Sequence, residues 1–290
     1  MIANPAAGGG RGMRVAKNAV AALRQAGRNV DLRPTDRPEQ AAELAAEALR
    51  QGAERLIVCG GDGTLRELLP ALMGSGCPLG LLPFGTANDF ARSLGIPRRF
   101  KEAISVLLRG RVQTIDLGNL NDRPFCTVAT LGFDAEVNHA VSTRQVPFSG
   151  TLGYLWAALG RFSSYTPPPV HLRGEFGEYR GCPLLVATGN TSSYGGGMKI
   201  APLADPGDGT LDVCIIEQVS TPTLLRVLPR IFWGGHTTHP AVRVERTTWL
   251  DIETEQPQIM YADGDFAGTT PAHIRTLPAT LDVVLPLSET

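Results

Sequence analysis

Residues 55–69 read RLIVCGGDGTLRELL. Text typical of a buried strand runs straight into text typical of a helix. At the junction Asp62 stands among Gly60, Gly61 and Gly63, with Thr64 next. Glycines let backbone N–H groups approach a ligand closely, and such groups ahead of a helix favour phosphate. A carboxylate does not suit an anion site unless a cation stands between the two. Two further loops have the same form: NPAAGGGRG (Asn4–Gly12) and PFGTAND (Pro83–Asp89). Each follows an apolar run and precedes a helical one, and Thr64 and Thr86 add hydroxyl donors. Open α/β sheets bind ligands at the carboxyl ends of their strands, so three such loops describe a phosphate site better than three unrelated turns. Asp89 and Asp116 also fall near expected strand ends. Three acids beside a triphosphate suggest Mg²⁺, a hard cation that takes oxygen ligands, keeps several waters and neutralises charge in phosphoryl transfer.

Other phosphate and catalytic motifs are missing. There is no GxxxxGK followed by Ser or Thr, so the site is not of Walker type, and no GxGxxG follows a strand with an acid at the usual distance. GxSxG is absent too, and no Ser/His/Asp set has motif support.

The elements that must position these loops follow from periodicity. Over Met13–Gly27 the spacing of Ala16, Val20 and Leu23 predicts a helix that Gly27 stops. Val30 and Leu32 alternate as in a strand. Asp36–Gly52 reads as a helix with a capping box from Asp36 and Glu39. RLIVC and PLGLLPFG are continuous apolar runs, as in parallel strands covered on both faces. Pro70 must kink or shorten the helix after Thr64. The first strand has barely three residues before its turn, so either the start lies late or the fold tolerates a clipped strand. From about Val112 the rhythm changes to strands, with a turn at Asn121–Asp122. Helical text covers Phe133–Ser142 and Gly150–Phe162, and one further helix lies in TPTLLRVLPRIFWGG. The expected fold is an α/β N-terminal domain, a mostly parallel sheet flanked by helices, followed by a mainly antiparallel β-sandwich. The expected domains are residues 1–116 and 117–290, with the boundary near Thr114–Gly118.

Bulk composition is in accord. The chain has 290 residues, 43% of them hydrophobic, and a net charge of -1 with scattered basic residues, which argues against a nucleic-acid binder. Its five cysteines are odd in number and form no CxxC pair, as expected of buried thiols in a reducing cytoplasm. No apolar run reaches the roughly 20 residues of a membrane span, and no signal peptide is expected.

Taken together, NPAAG, GGDGTLRE, PFGTANDFAR, DLG, APLADPGDGTLDV and ADGD resemble the catalytic-domain family of diacylglycerol and sphingosine kinases, above all the soluble bacterial lipid kinases. GGDGT alone is shared with NAD kinases; GGDGT followed by PFGTANDFAR is specific to the lipid kinases. The resemblance implies an ATP-dependent lipid kinase of two domains with the active site between them. It implies ATP contacts at Asn4, Pro5, Gly8, Thr35, Gly61, Asp62, Gly63, Thr64, Glu67 and Thr86. It also implies an acidic network of Asp62, Asp89 and Asp116 for catalytic Mg²⁺. A second, structural Mg²⁺ or Ca²⁺ would sit on the Asp208 carboxylate with the backbone carbonyls of Asp205 and Thr210; the alternative is an acidic turn without metal. In YADGDF the family usually has Asp-Gly-Glu, with an acid here as base on the lipid hydroxyl. This chain has Asp263, Gly264 and Asp265, one methylene shorter. Either Asp263 is the base and Asp265 supports it, or the cleft closes slightly further to bring Asp265 in.

The expected partners are ATP and a membrane lipid, with peripheral membrane contact from the cytoplasmic side and no nucleic acid. An exposed sheet edge could pair two copies. The alternatives are an NAD kinase, or a nucleotide- or lipid-binding protein with weak catalysis. His236 and His239 have a spacing that can bind zinc, but a capped loop accounts for them without a third ligand. TLGYLWAALGRF and TLLRVLPRIFW, the latter with Arg226 and Arg230 on one face, suit either core packing or contact with a membrane interface.

Overall fold

The computed structural model describes residues 1–134, 137, 160, 162 and 165–287. The helical text expected at Phe133–Ser142 and Gly150–Phe162 lies almost wholly outside these residues, as does TLGYLWAALGRF. The chain forms two compact units: Met1–Ile115 with Ala279–Thr290, and Asp116–Pro278. It therefore crosses between them twice. Nothing in the local pattern of the last strand announces that its end returns to the first unit.

In the first unit β1 (Ile2–Ala3), β2 (Arg33–Pro34), β3 (Leu56–Gly60) and β4 (Leu79–Pro83) are parallel in the order β2-β1-β3-β4. The helices between them are α1 (Ala7–Gly10), α2 (Gly12–Gln25), α3 (Gln40–Arg50) and α4 (Asp62–Leu72); α5 (Asp89–Ser93) and α6 (Phe100–Arg109) follow β4. The first strand, β1, is short. Its two residues are fully buried and pair on both sides. β2 is shorter than the alternation of Val30 and Leu32 suggests, because Pro34 cannot donate to a ladder and sits on the sheet edge. Ala16, Val20 and Leu23 of α2 and Ala103 and Leu107 of α6 close over Ile57, Cys59 and Leu82. Each such Leu-sized burial is worth about 1.5–3 kcal/mol.

Two helix boundaries differ from expectation. α3 starts at Gln40, not at Asp36, since Arg37 precedes a proline and is kept out of the helical region. The reciprocal bond comes from Gln40, whose Oε1 accepts from the Asp36 N–H at 2.7 Å, while Glu39 takes a left-handed φ of 63°. Pro70 lies in the last turn of α4, which ends at Leu72, so it shortens the helix.

The second unit is antiparallel. β5 (Arg111–Leu120) turns through Asn121 and Asp122, with φ of 46° and 68°, into β6 (Arg123–Phe125). β7 (Val128–Gly132), β10 (Leu185–Gly189), β11 (Leu211–Ile216), β12 (Val242–Thr247), β14 (Ile259–Ala262) and β15 (Asp265–Thr269) make a six-stranded sheet in the order β12-β11-β10-β7-β14-β15. Facing it, β8 (Val170–Gly174), β9 (Gly177–Gly181), β13 (Trp249–Thr254) and the start of β16 (Ala272–Leu285) are joined antiparallel. Leu172, Leu250 and Ile274 meet Leu131, Val213 and Met260 in the sandwich core. The end of β16 pairs parallel with β4 through Val283 and Leu79 in the first unit. On its other face the six-stranded sheet is covered by Tyr194, Met198, Ile200 and Ile231. Helix α7 (Thr221–Val227) continues as a 3-10 turn over Leu228–Trp233. Cys59, Cys77, Cys126 and Cys214 are buried free thiols and Cys182 is exposed. Burial pushes the Cys59 and Cys214 thiols up to about 12, so neither is a ready nucleophile.

Two of the glycine loops touch through bare backbone. A Cβ built on Gly85 would lie 2.4 Å from the Gly61 Cα and 2.9 Å from the Asn88 Oδ1. Gly85→Ala should therefore lower stability by about 1–3 kcal/mol, read as the urea midpoint. Gly63→Ala, which meets nothing within 4 Å, should leave the midpoint unchanged or slightly raised.

Candidate functional site

The strand order places a reversal between β1 and β3, since the chain winds from β1 to one side and then to the other. The loops leaving β1, β3 and β4 lie at this switch point or next to it, where open α/β sheets bind ligands. Asn4 opens the first loop. Its Oδ1 accepts from the Ala6 N–H at 2.9 Å, and its Nδ2 reaches Thr64 Oγ1 at 3.3 Å, tying the first loop to the second. Pro5 follows in the turn. Gly8, Gly9 and Gly10 all have positive φ, and a Cβ on Gly8 would be 2.3 Å from the Phe84 ring of the third loop. Gly12 lets α2 start against the end of β1, for its Cβ would fall 2.1 Å from the Asn4 carbonyl. Thr35 hangs on the other side of β1, its N–H donating to the Ala3 carbonyl at 2.9 Å. Gly63 and Thr86 are exposed, Thr64 is buried.

Asp62 has a definite local task. Its Oδ2 accepts from the Asp89 N–H at 3.1 Å and its Oδ1 from the Phe90 N–H at 3.3 Å. The lone acid thus begins α4 and caps the start of α5, where the unpaired amides of a helix end call for an acceptor. Asn88 completes the third loop. Held at φ 52°, it accepts from the Gly85 N–H and donates to the Gly85 carbonyl, both at 2.8 Å. Asp89 is buried, with Arg92 Nε 3.8 Å from its Oδ1. Glu67, one turn further along α4, accepts from the Ala41 N–H at 3.2 Å and caps α3. That bond is a structural duty which sequence alone does not show.

The acids of the second unit form another hydrogen-bonded chain. Asp116 Oδ2 accepts from the Gly209 N–H at 2.7 Å, and its own N–H donates to the Pro206 carbonyl at 2.6 Å. Asn190 Nδ2 bridges the carbonyls of Asp116 and Cys126 at 3.1 and 2.9 Å. Asp263, at φ 51°, accepts from the N–H groups of Cys126 and Thr127 at 2.8 and 2.7 Å and from Thr127 Oγ1 at 2.6 Å. Asp265 is exposed at the head of β15. Asp62 and Asp89 are therefore linked to each other, and Asp116 is linked to the Asp205–Thr210 loop. In that loop Asp208 Oδ1 accepts from the Thr210 N–H and Oγ1, its Oδ2 lies 3.4 Å from Arg246, and Asp205 Oδ1 accepts from the Gly207 N–H. These bonds close an acidic turn on itself. Among the described residues, no three His, Cys, Asp or Glu side chains are grouped as a metal site.

His236 and His239 line the same cavity but hydrogen-bond to different partners. His239 Nδ1 accepts from the Ala241 N–H at 3.2 Å, in a turn. His236 is buried, with Nε2 3.1 Å from the Ile200 carbonyl, and its Nδ1 has no hydrogen-bond partner among the described residues. It lines an apolar cavity of about 80 Å³ with Phe133, Leu184, Leu224, Val227 and Ile231. Asn88, Thr127 and Asn190, which sequence reading passes over, hold more of the site together than several residues it names. Asn88 and Asn190 carry one sequence signal, an amide beside an acid or a glycine, whereas Thr127, between Cys126 and Val128, carries none.

The N-terminal part, residues 1–120, matches the family model described as the diacylglycerol kinase catalytic domain. This chain belongs to the diacylglycerol kinase family of lipid kinases. Residues 127–285 match a second model, the YegS C-terminal NAD kinase beta sandwich-like domain. Over 292 aligned residues the chain is 37% identical to a diacylglycerol kinase of Mycobacterium tuberculosis, covering 98% of this chain and 94% of that one. It is 35% identical to a probable lipid kinase YegS-like protein of Pseudomonas putida, covering 93% and 90%. A crystal structure titled as a diacylglycerol kinase of Bacillus anthracis superposes with a TM-score of 0.78 at 21% identity, over 100% of this chain and 97% of that one, which establishes the shared fold. The likeness to NAD kinases is thus in the sandwich's shape, while the relatives are named as lipid kinases.

Asp263→Ala strips the acceptor from two backbone amides and a hydroxyl, and should cost about 3 kcal/mol in denaturant unfolding, whereas Asp265→Asn should stay within about 0.5 kcal/mol. The buried His236 gives a pH signature. Burial lowers its pKa below 6.5, with the Ile200 carbonyl partly opposing. The unfolded chain then binds the proton more readily than the folded one, so stability should fall as pH drops below 6.5 toward the lowered folded value. His236→Gln should flatten that part of a melting-temperature profile.

Proposed function

We propose that this lipid kinase transfers the γ-phosphate of ATP to a hydroxyl of a membrane lipid such as diacylglycerol, on the cytoplasmic face of the membrane and with Mg²⁺. The observation that carries the reading is the set of three loops at the switch point, cross-braced by Asn4–Thr64, Gly61–Gly85 and Asp62 on α5. ATP phosphates would lie on the backbone N–H groups of Gly8, Gly61 and Gly63, with Thr64 and Thr86 as side-chain donors and Asn4, Pro5, Thr35 and Glu67 around them. Mg²⁺ bound with ATP keeps most of its ligands as waters and phosphate oxygens. One or two carboxylates suffice for it, and Asp62 retains acceptor capacity beside its two amide bonds. Asp89 and Asp116 are the other acids assigned to it. When present, Mg²⁺ neutralises charge on the transferring phosphoryl group. A Mg²⁺ or Ca²⁺ in the Asp205–Thr210 loop would take the Asp208 carboxylate with the backbone carbonyls of Asp205 and Thr210; the competing account is an acidic turn closed by the Thr210 donors and Arg246.

We assign the base to Asp265 and a positioning role to Asp263, because three donors already occupy Asp263 while Asp265 is exposed. Asp265 takes the hydroxyl proton as the lipid oxygen bonds to the γ-phosphorus; the bond to the β,γ-bridging oxygen breaks and its electron pair leaves with ADP. Labelled ATP with a total lipid extract, products resolved by mass, tests the reading: a phosphorylated lipid should appear, and NAD offered as the acceptor should yield no NADP. Asp265→Asn should lower kcat about 100-fold or more with a small change in KM for ATP. Transfer to no lipid defeats the function; full activity of Asp265→Asn defeats the base.

A further inference from the structure

We propose that the segment Thr221–Trp233 is the surface by which this protein lies on an anionic lipid bilayer. The proposal takes its purpose from the lipid-kinase reading, since an acceptor that resides in a bilayer must be met at its interface.

The segment is apolar on both sides. Leu224, Val227, Leu228 and Ile231 face inward and line the cavity that contains His236. A helix covering a core on one side ordinarily shows polar residues on the other. Here Leu225, Pro229 and Trp233 follow at intervals of four on the outer side, with Leu225 52% and Trp233 65% exposed. A neighbouring corner extends the stripe. A Cβ on Gly234 would lie 2.7 Å from the Pro202 Cβ, so the two corners touch, and Leu203 beside Pro202 is 72% exposed.

Charge selects the occupant. Arg226 and Arg230 are exposed one turn apart beside this stripe, and neither has an ion pair among the described residues. The sequence contains no Asp or Glu between Glu217 and Glu245. Asp205 stands exposed two residues beyond Leu203 in the neighbouring corner, but the arginine-bearing segment itself carries no acid and so suits an acidic partner. Tryptophan prefers the headgroup level of a bilayer, arginines reach past apolar residues to lipid phosphates, and each near the surface is worth about fivefold in binding to anionic lipid. An interfacial helix needs both a buried apolar face and this electrostatic attraction.

Co-sedimentation with vesicles, without ATP, tests the surface. The full chain should bind phosphatidylglycerol-containing vesicles more tightly than pure phosphatidylcholine. Arg226→Gln with Arg230→Gln should weaken the former about tenfold or more. Leu225→Ser with Trp233→Ser should weaken both. Transfer to a water-soluble short-chain diacylglycerol should stay at the parent level in these variants, whose circular dichroism reports folding. Parent-like vesicle binding by both double variants, or no vesicle binding by the parent, overturns the proposal. So does a self-association by sedimentation velocity that the same substitutions abolish, which would make the face a contact between copies. Vesicle binding with no phosphate transfer to any lipid would sink the kinase reading and leave the docking surface standing.

Discussion

The first unit depends on a close backbone approach. The second and third loops meet at Gly61 and Gly85, where neither position has room for a methyl group. Two side chains brace that contact. Asn88 closes the third loop on Gly85, and Asp62 reaches across to the first amides of α5. Glycines make the approach sterically open; the amide and the carboxylate make it specific. Without the contact the second and third loops would be separate turns, joined only through Asn4–Thr64 and Gly8–Phe84 by way of the first.

The acid among the glycines thus acquires a structural meaning besides any catalytic one. A carboxylate that caps a neighbouring helix is held in orientation by two N–H donors, and that orientation fixes where its remaining lone pairs point. The same economy appears in the sandwich. Asp263 is the more buried of its pair, and its bonds to Cys126 and Thr127 make it a brace for the β6–β7 junction, while Asp265 stands exposed at the head of β15.

Expectation and structure part company where a residue's partner is far away in sequence. Glu67 is a nucleotide residue by resemblance and a helix cap by geometry, because its acceptor oxygen finds the Ala41 N–H 26 residues earlier. The histidines at 236 and 239 share a spacing but point to different partners. The Asp205–Thr210 loop closes on its own donors and on Arg246, which lies on β12. Local periodicity carries none of these links.

What the sequence determined by itself is the alternation of elements, the change from parallel to antiparallel text, the three glycine loops and the family. Each of these is written in short-range pattern: apolar spacing, turn residues, and motifs whose order is specific. Tertiary structure alone decided which acids stand together, Asp62 with Asp89 and Asp116 with the Gly209 turn, what braces Asp263 while Asp265 stays exposed, and that the segment Thr221–Trp233 is apolar on both sides. The physical reason is common to all three. A hydrogen bond or a buried face is a relation between distant segments, and a side chain's availability for chemistry is set by what the fold has already bonded to it.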